Sequence, residues 1–237
     1  MDGREKKKIN TRKGREDFTR EAYLGIRKMF FHNEIIPGQK ISYRDLAERL
    51  DMSATPVIQA LKRLEFQGFV RHEPNRGYYT EKISIKEITE IYEFREMIEL
   101  SLLPKTIRQM TPDSLKKIES ALEKHLNAVR DIYLKERLLR DMEFHLTLAE
   151  LSNCTLQVNT LKHLFDLLYL KYRGNILFVT PMETVDNEHS QLYEFIASGD
   201  VDGAVAVMAR HIANVRKHAI ISINRVMEEK DSHDKQP

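Results

Sequence analysis

Apolar residues recur along this chain first in short, interrupted stretches and then in long helical runs, and the change divides it in two. Between Phe18 and His32, Tyr23, Leu24, Ile26 and Phe30 follow a helical period that His32-Asn33-Glu34 ends before a Pro37-Gly38 turn. Ser42 and Asp45 make a capping-box-like start to a second helix, in which Leu46, Ala47 and Leu50 share a face. Asp51-Met52-Ser53 is a turn, and Ser53 or Thr55 caps a third helix. Pro56 suits its first turn, where the N–H it lacks would have no intrahelical partner. Val57, Ala60, Leu61 and Leu64 form the apolar back of this helix; Thr55, Ile58, Gln59, Lys62 and Arg63 form a mixed front suited to a DNA major groove. Gly68 ends it. Phe69 to Arg71 and Tyr78 to Thr80 then read as two strands around a turn-rich tip that carries Arg76. The pattern is a winged helix-turn-helix.

After a short linker, Glu81-Lys82-Ile83, every periodic stretch is helical. Ser84 caps a long helix whose face carries Ile85, Ile88, Ile91, Arg95, Ile98 and Leu102, with Pro104 expected to kink or end it. Thr111-Pro112 opens a second helix with Leu115, Ile118, Leu122, Leu126 and Val129 inward. A third is expected over about 132–151, a fourth over 155–172, a fifth over 181–198, and a last from Asp200 to about Met227. The predicted fold is mainly α, an N-terminal winged helix-turn-helix followed by an antiparallel all-helical bundle. The divisions are a basic disordered arm (1–17), the DNA-binding domain (18–80), the linker (81–83), the bundle (84–227) and a charged tail (228–237).

Charge sharpens this division. Residues 1–80 hold 17 Lys and Arg against 11 Asp and Glu, a net of +6, whereas residues 81–237 hold 21 against 25, a net of −4. Phosphate contacts supply most sequence-independent DNA affinity, so cations belong on the winged-helix half. Arg4, Lys6, Lys7, Lys8, Arg12, Lys13 and Arg15 crowd the first residues with few apolar neighbours, which predicts a disordered arm able to lie along phosphates. One cysteine excludes an internal disulfide, and no apolar run is long enough for a membrane span or a signal sequence, so a cytoplasmic protein is expected.

The bundle carries the candidate chemistry. Asp141 and His145 are four apart, so they leave the third helix on one face beside Phe144 and Leu148. His189 stands near Leu192 and Ile196 on the fifth helix, and His211 beside Val207, Met208 and Val215 on the last. Three histidines and one aspartate from three helices suit a divalent metal ion, with zinc or nickel favoured. Hydrogen-bonded core histidines are the alternative; the chain has nine histidines, and His125, His163 and His218 also lie in helices.

Residues 46–79, LAERLDMSATPVIQALKRLEFQGFVRHEPNRGYY, resemble the DNA-binding domain of GntR-family transcription regulators, and Ile35 to Ile41 resemble the family's Pro-Gly lead-in. A single winged helix reads few base pairs, so a homodimer on a palindromic operator of double-stranded DNA is expected, acting as a repressor or an activator. Arg44, Thr55, Gln59, Lys62, Arg63 and Arg76 are the expected DNA contacts. Ala54 and Ile58 replace arginines usual in the family, which implies an unusual operator; Ile58 is assigned to a thymine methyl and Gln59 to adenine.

RDMEFHLTLAELSN, EHSQLYEFIASGD and DVDGAVAVMARHI resemble segments of the FCD domain, the FadR-like effector domain of one GntR subfamily. This resemblance implies Asp141, His145, His189 and His211 as metal ligands and Arg95, in EIYEFREMIEL, as the partner of a small carboxylate effector. Asn153-Cys154-Thr155 departs from the family's usual Gly-Asn-Pro. Two other functions compete with a ligand-responsive regulator: a metal sensor without an organic effector, and a metal-dependent hydrolase. The hydrolase lacks a His-Glu-x-x-His helix, and Glu188 projects about 100° away from His189.

Overall fold

The computed structural model describes residues 3–128, 134–172 and 180–233. Val129, Met1 and Asp2 of the expected arm, and 234–237 of the expected tail lie outside them. The chain forms two compact units, residues 1–83 and 84–237.

The first unit contains α1 (Gly3–Phe31), β1 (Lys40–Ile41), α2 (Tyr43–Arg49), α3 (Ala54–Phe66), β2 (Val70–Glu73) and β3 (Gly77–Thr80). Its start departs from expectation. The arm expected to be disordered is helical from Gly3, continuous with the helix expected at Phe18. The basic stretch contains no proline and is rich in Lys, Arg and Glu, which favour helix, and nothing between it and Phe18 breaks the run.

Ser42 caps α2 by accepting the Asp45 N–H at 3.2 Å. Asp51 takes a left-handed turn (φ 51°), and α3 begins at Ala54 with Ser53 at its N-cap but without a side-chain cap bond. Val57, Ala60, Leu61 and Leu64 are fully buried where α3 packs on α1. Gly25 on α1 admits the other neighbour: an added Cβ would lie 2.5 Å from Leu50 Cδ2. The sheet order is β1-β3-β2, all antiparallel, with Arg71 opposite Tyr79 and His72 opposite Tyr78. The strand β1, unforeseen in the sequence, gives β3 a second partner. The expected linker is tied to this unit, since Gly38 N–H donates to the Glu81 carbonyl at 3.2 Å.

The second unit holds α4 (Ile85–Arg108), α5 (Pro112–Leu126), α6 (Leu134–Glu150), α7 (Thr155–Asp166), a π-helical turn (Leu167–Lys171), α8 (Met182–Ser198) and α9 (Val201–His233). Ser84 and Thr111 cap α4 and α5 by accepting the Glu87 and Ser114 N–H groups. Gly199 closes α8 in the left-handed conformation (φ 77°), and Asp200 Oδ1 accepts the Gly203 N–H at 2.9 Å to begin α9. Four expectations need correction. Pro104 does not end α4, which continues to Arg108. The fourth helix is not uniform to Tyr172, because its last turn widens to π geometry after Asp166. The expected tail is helical to His233, as α9 meets no glycine or proline after Gly203. Leu126, expected inward, is 37% exposed.

The bundle packs α9 against α4 and α8, α5 against α6 and α8, and α4 against α6 and α7. Facing stripes bury Ile88, Leu102, Ile118, Phe144, Leu161, Leu192 and Ile223. This arrangement brings the inner faces of α4, α6, α8 and α9 around one point.

Candidate metal centre

Asp141, His145, His189 and His211 meet at that point. All four are buried, and a ligand-type atom from each lies within 4.8 Å of the others. His145 Nε2 is 3.2 Å from His211 Nε2, which is 3.3 Å from His189 Nε2, and Asp141 Oδ1 is 3.6 Å from His189 Nε2. The spacing Asp141 to His145 places both on one face of α6, with Phe144 packed at 4.7 Å on the His189 ring.

The outer nitrogens explain why the inner ones converge. Glu99, on α4, lies 2.5 Å from His145 Nδ1, and Glu188 Oε2 lies 3.0 Å from His211 Nδ1. A carboxylate only accepts, so each Nδ1 carries the proton and each Nε2 presents a lone pair in the neutral ring. Two lone pairs facing each other at 3.2 Å repel unless a cation or proton lies between them. Ligand atoms about 2.1 Å from one ion, at angles between octahedral and tetrahedral, are about 3.0–3.4 Å apart. The two Nε2–Nε2 separations fall in that range and the Asp141–His189 contact, at 3.6 Å, lies just beyond it, so the donor types and the histidine spacing suit a divalent metal, and the carboxylate–histidine pairs are the outer support such sites use.

Electrostatics agree. Burial pushes the His189 ring well down and the His211 ring down, so both are neutral and able to ligate at neutral pH. Burial alone would raise the Asp141 and Glu99 carboxyls, but both are held down, Glu99 to about 2 with the Arg95 guanidinium as the largest opposing charge.

Arg95 is 3% exposed, donates from Nε to Glu99 Oε1 at 2.8 Å and stacks 4.3 Å over the Phe165 ring. It borders a cavity of about 20 Å³ together with Tyr92, Asp141, Phe165, Leu168 and Thr180. Arg95 Nη2 and Thr180 Oγ1 are buried without a hydrogen-bond partner among the described residues, so two donors are offered next to Asp141.

Glu99 and Glu188 escaped the sequence reading. Glu99 lies four residues after Arg95 among Ile98, Leu102 and Leu103, and an acid at that spacing in an apolar stripe was the available signal. Glu188 contacts His211 Nδ1 at 3.0 Å and accepts from Asn214 Nδ2 at 2.5 Å.

In the winged-helix unit, Arg44, Thr55, Gln59, Lys62, Arg63 and Arg76 are all exposed. Gln59 and Arg63 have partners on α1: Thr19 Oγ1 donates to Gln59 Oε1 at 2.8 Å, and the Arg63 guanidinium lies 4.2 Å over the Tyr23 ring. Arg76, on the wing tip, is 3.7 Å from Glu73 and 76% exposed. Ile58 is half-buried.

Comparison with known proteins agrees with both halves. Residues 18–79 match the gntR family of bacterial regulatory proteins, and residues 90–214 match the FCD domain. Among similar proteins, the HTH-type transcriptional regulator YdhC of Bacillus subtilis is 24% identical over 214 residues, covering 88% of this chain and 92% of that protein. LutR, an HTH-type transcriptional regulator of the same organism, is 27% identical over 208 residues, 79% of this chain and 94% of its own. The solved structure of Escherichia coli McbR/YncC shares the fold, with a TM-score of 0.70 at 20% identity over 88% of this chain and 98% of that one.

Proposed function

Because the chain belongs to the GntR family of bacterial regulatory proteins and carries an FCD domain, we propose that this DNA-binding transcription regulator is governed by a divalent metal and a small organic acid bound together in its helical unit. The observation that carries the reading is the convergence of three Nε2 atoms and the Asp141 carboxylate, with Nδ1 of His145 and His211 each turned to a glutamate. Asp141, His145, His189 and His211 hold the metal, with zinc or nickel best suited to the nitrogen-rich set. An ion held there would supply Lewis acidity toward a carboxylate. Arg95 Nη2 and Thr180 Oγ1 would donate to a carboxylate in this cavity, with Phe165 and Leu168 keeping water out.

Leu168 links this cavity to the start of the unit. It belongs to the π turn, whose Lys171 Nζ donates to Glu87 Oε1 at 2.6 Å and whose following Tyr172 hydroxyl donates to Glu87 Oε2 at 2.5 Å. Glu87 is in the first turn of α4, directly after the covalent connection to the winged-helix unit. A ligand that favours one packing of the π turn therefore biases the point where the DNA-binding unit is attached. A coupling of about 1–3 kcal/mol changes operator affinity about 5- to 150-fold. A homodimer supplies two winged helices to a palindrome and doubles the contact set. Glu188, occupied by His211 and Asn214, is a poor general base, which weighs against the hydrolase.

The cavity of about 20 Å³ has room for one water-sized group and favours a second reading, in which the metal itself is the signal. Elemental analysis, followed by calorimetric titration of metal-loaded and chelated protein with small carboxylates, separates the two. The first reading requires about one metal per chain and carboxylate binding that chelation abolishes; metal-responsive operator binding without any carboxylate supports the second. Absence of bound metal in both forms refutes both.

On the DNA side, Lys62→Ala and Arg76→Ala should weaken operator binding across sequences, each lowering the slope of log affinity against log salt by about 1. Thr19→Ala should instead change base preference, since it releases Gln59. Fluorescence anisotropy at several salt concentrations measures the first pair, and base-substitution scanning of the operator the last.

A further inference from the structure

α1 and α3 lie side by side and run in the same direction. Thr19 Oγ1 donates to Gln59 Oε1 at 2.8 Å, and one turn on the Tyr23 ring centroid lies 4.2 Å from the Arg63 guanidinium, so both contacts join positions 40 apart in the chain. The Tyr23 hydroxyl continues the series by donating to Gln67 Oε1 at 2.8 Å, and Arg27 Nη1 donates to that hydroxyl at 3.0 Å. At this constant offset Ala54, the first residue of α3, is level with Gly14, so α1 extends past it from Lys13 back to Gly3.

From Gly3 to Lys13 the overhang is 11 residues, about 16 Å of helix. It passes α3 at the end that a helix-turn-helix lays against base edges. Arg4, Lys6, Lys7, Lys8, Arg12 and Lys13 stand in it against a single acid, Glu5, a net of +5. Arg4, Lys8 and Arg12 recur every four residues, a like-charge spacing that weakens a helix in isolation and that a row of phosphates makes favourable. We propose that this overhang is a second DNA contact, a basic rail that follows the backbone phosphates beside the groove read by α3.

Rigidity separates a rail from a tail. A helix this short is marginal by itself, but here it continues one whose buried Ala22, Tyr23, Ile26, Met29 and Phe30 fix its axis. Cations on such an extension lose less conformational freedom on binding than the same cations on a disordered segment. The rail rests on the DNA-binding reading for its partner and on the α1–α3 contacts for its place.

Fluorescence anisotropy with a duplex of about 30 base pairs and arbitrary sequence, at several salt concentrations, tests it, because phosphate contacts set the slope of log affinity against log salt whatever the sequence. Glutamine in place of all six cations keeps a good helix former at each position and should lower that slope by about 3, since one side of a helix meets a single duplex. Asn10→Pro keeps every cation but breaks the helix among them, as the proline ring clashes with the carbonyl four residues back. It should reproduce at least half of the loss, with a fall in helix content by circular dichroism. Both changes leave the buried residues of α1 in place, so folding is retained. An unchanged slope in the glutamine variant overturns the proposal. So does a wild-type slope in Asn10→Pro despite lost helix, which makes the segment a flexible tail. Lys62→Ala on the same duplex keeps the two readings apart: a lowered slope there beside an unchanged slope in the glutamine variant removes the rail alone, whereas no binding by the wild-type chain removes the recognition surface with it.

Discussion

Replacing His211 with alanine is expected to reduce metal affinity by more than about 100-fold, beyond the 10- to 100-fold that loss of an outer partner costs. His211 is the hub of the cluster: its Nε2 lies within 3.2–3.3 Å of both other inward nitrogens, so its removal leaves His145 and His189 without a common neighbour. Glu188 keeps Asn214 and, at 3.7 Å, Arg210, so the variant should still fold. Metal at 100 times its dissociation constant stabilises the native state by about 2.7 kcal/mol. The wild-type unfolding midpoint should therefore rise with added zinc and return on chelation, while the variant's should respond to neither. An equal zinc-induced rise in His211→Ala would remove this residue from the site.

Glu99→Leu is expected to have the largest effect on stability, with a loss of about 3–5 kcal/mol. The Arg95–Glu99 pair has both side chains 3% exposed, and removing the carboxylate leaves a buried guanidinium without its partner and His145 without its acceptor. Adding Arg95→Leu should recover much of the loss, because the double variant buries no uncompensated charge. Denaturant titration of the three variants measures this cycle, and a Glu99→Leu protein within about 1 kcal/mol of wild type contradicts it. The same pair sets an acid limit. The Glu99 carboxyl is held at about 2 against an ordinary value of 4.5, so its folded pKa is depressed. Its contribution is complete above about pH 4.5 and declines as pH falls from there toward 2. In metal-free protein, Glu99→Gln should flatten stability against pH within that window.

Local chemistry made most of the fold legible. The turn at Asp51, the caps at Ser42, Ser84 and Thr111, the stop at Gly199 and the apolar back of α3 follow from neighbouring residues and from the 3.6-residue period, which a chain carries wherever it packs. The same period put Asp141 and His145 on one face and His189 and His211 on apolar faces. It was silent where the outcome depended on what a stretch packs against: β1 exists because β3 lies beside it, and the π turn lies where Lys171 and Tyr172 reach back to Glu87. Pro104 warned of a break that α4 does not make; its flanks, Leu102, Leu103, Thr106 and Ile107, are all buried.

The sequence by itself determined the two-part architecture, the reading helix and the four metal-type residues, because each is written in spacings of a few positions. Only the tertiary structure decided that Glu99, Glu188 and His125 surround those four, that Arg95 is already paired, and that Gln59 is held by Thr19. These are meetings of side chains 23 to 64 residues apart in the chain, apart from the Arg95–Glu99 turn. No local period encodes them: the identity of a distant partner is set by how helices cross, and the low dielectric of the core then makes that partner decisive.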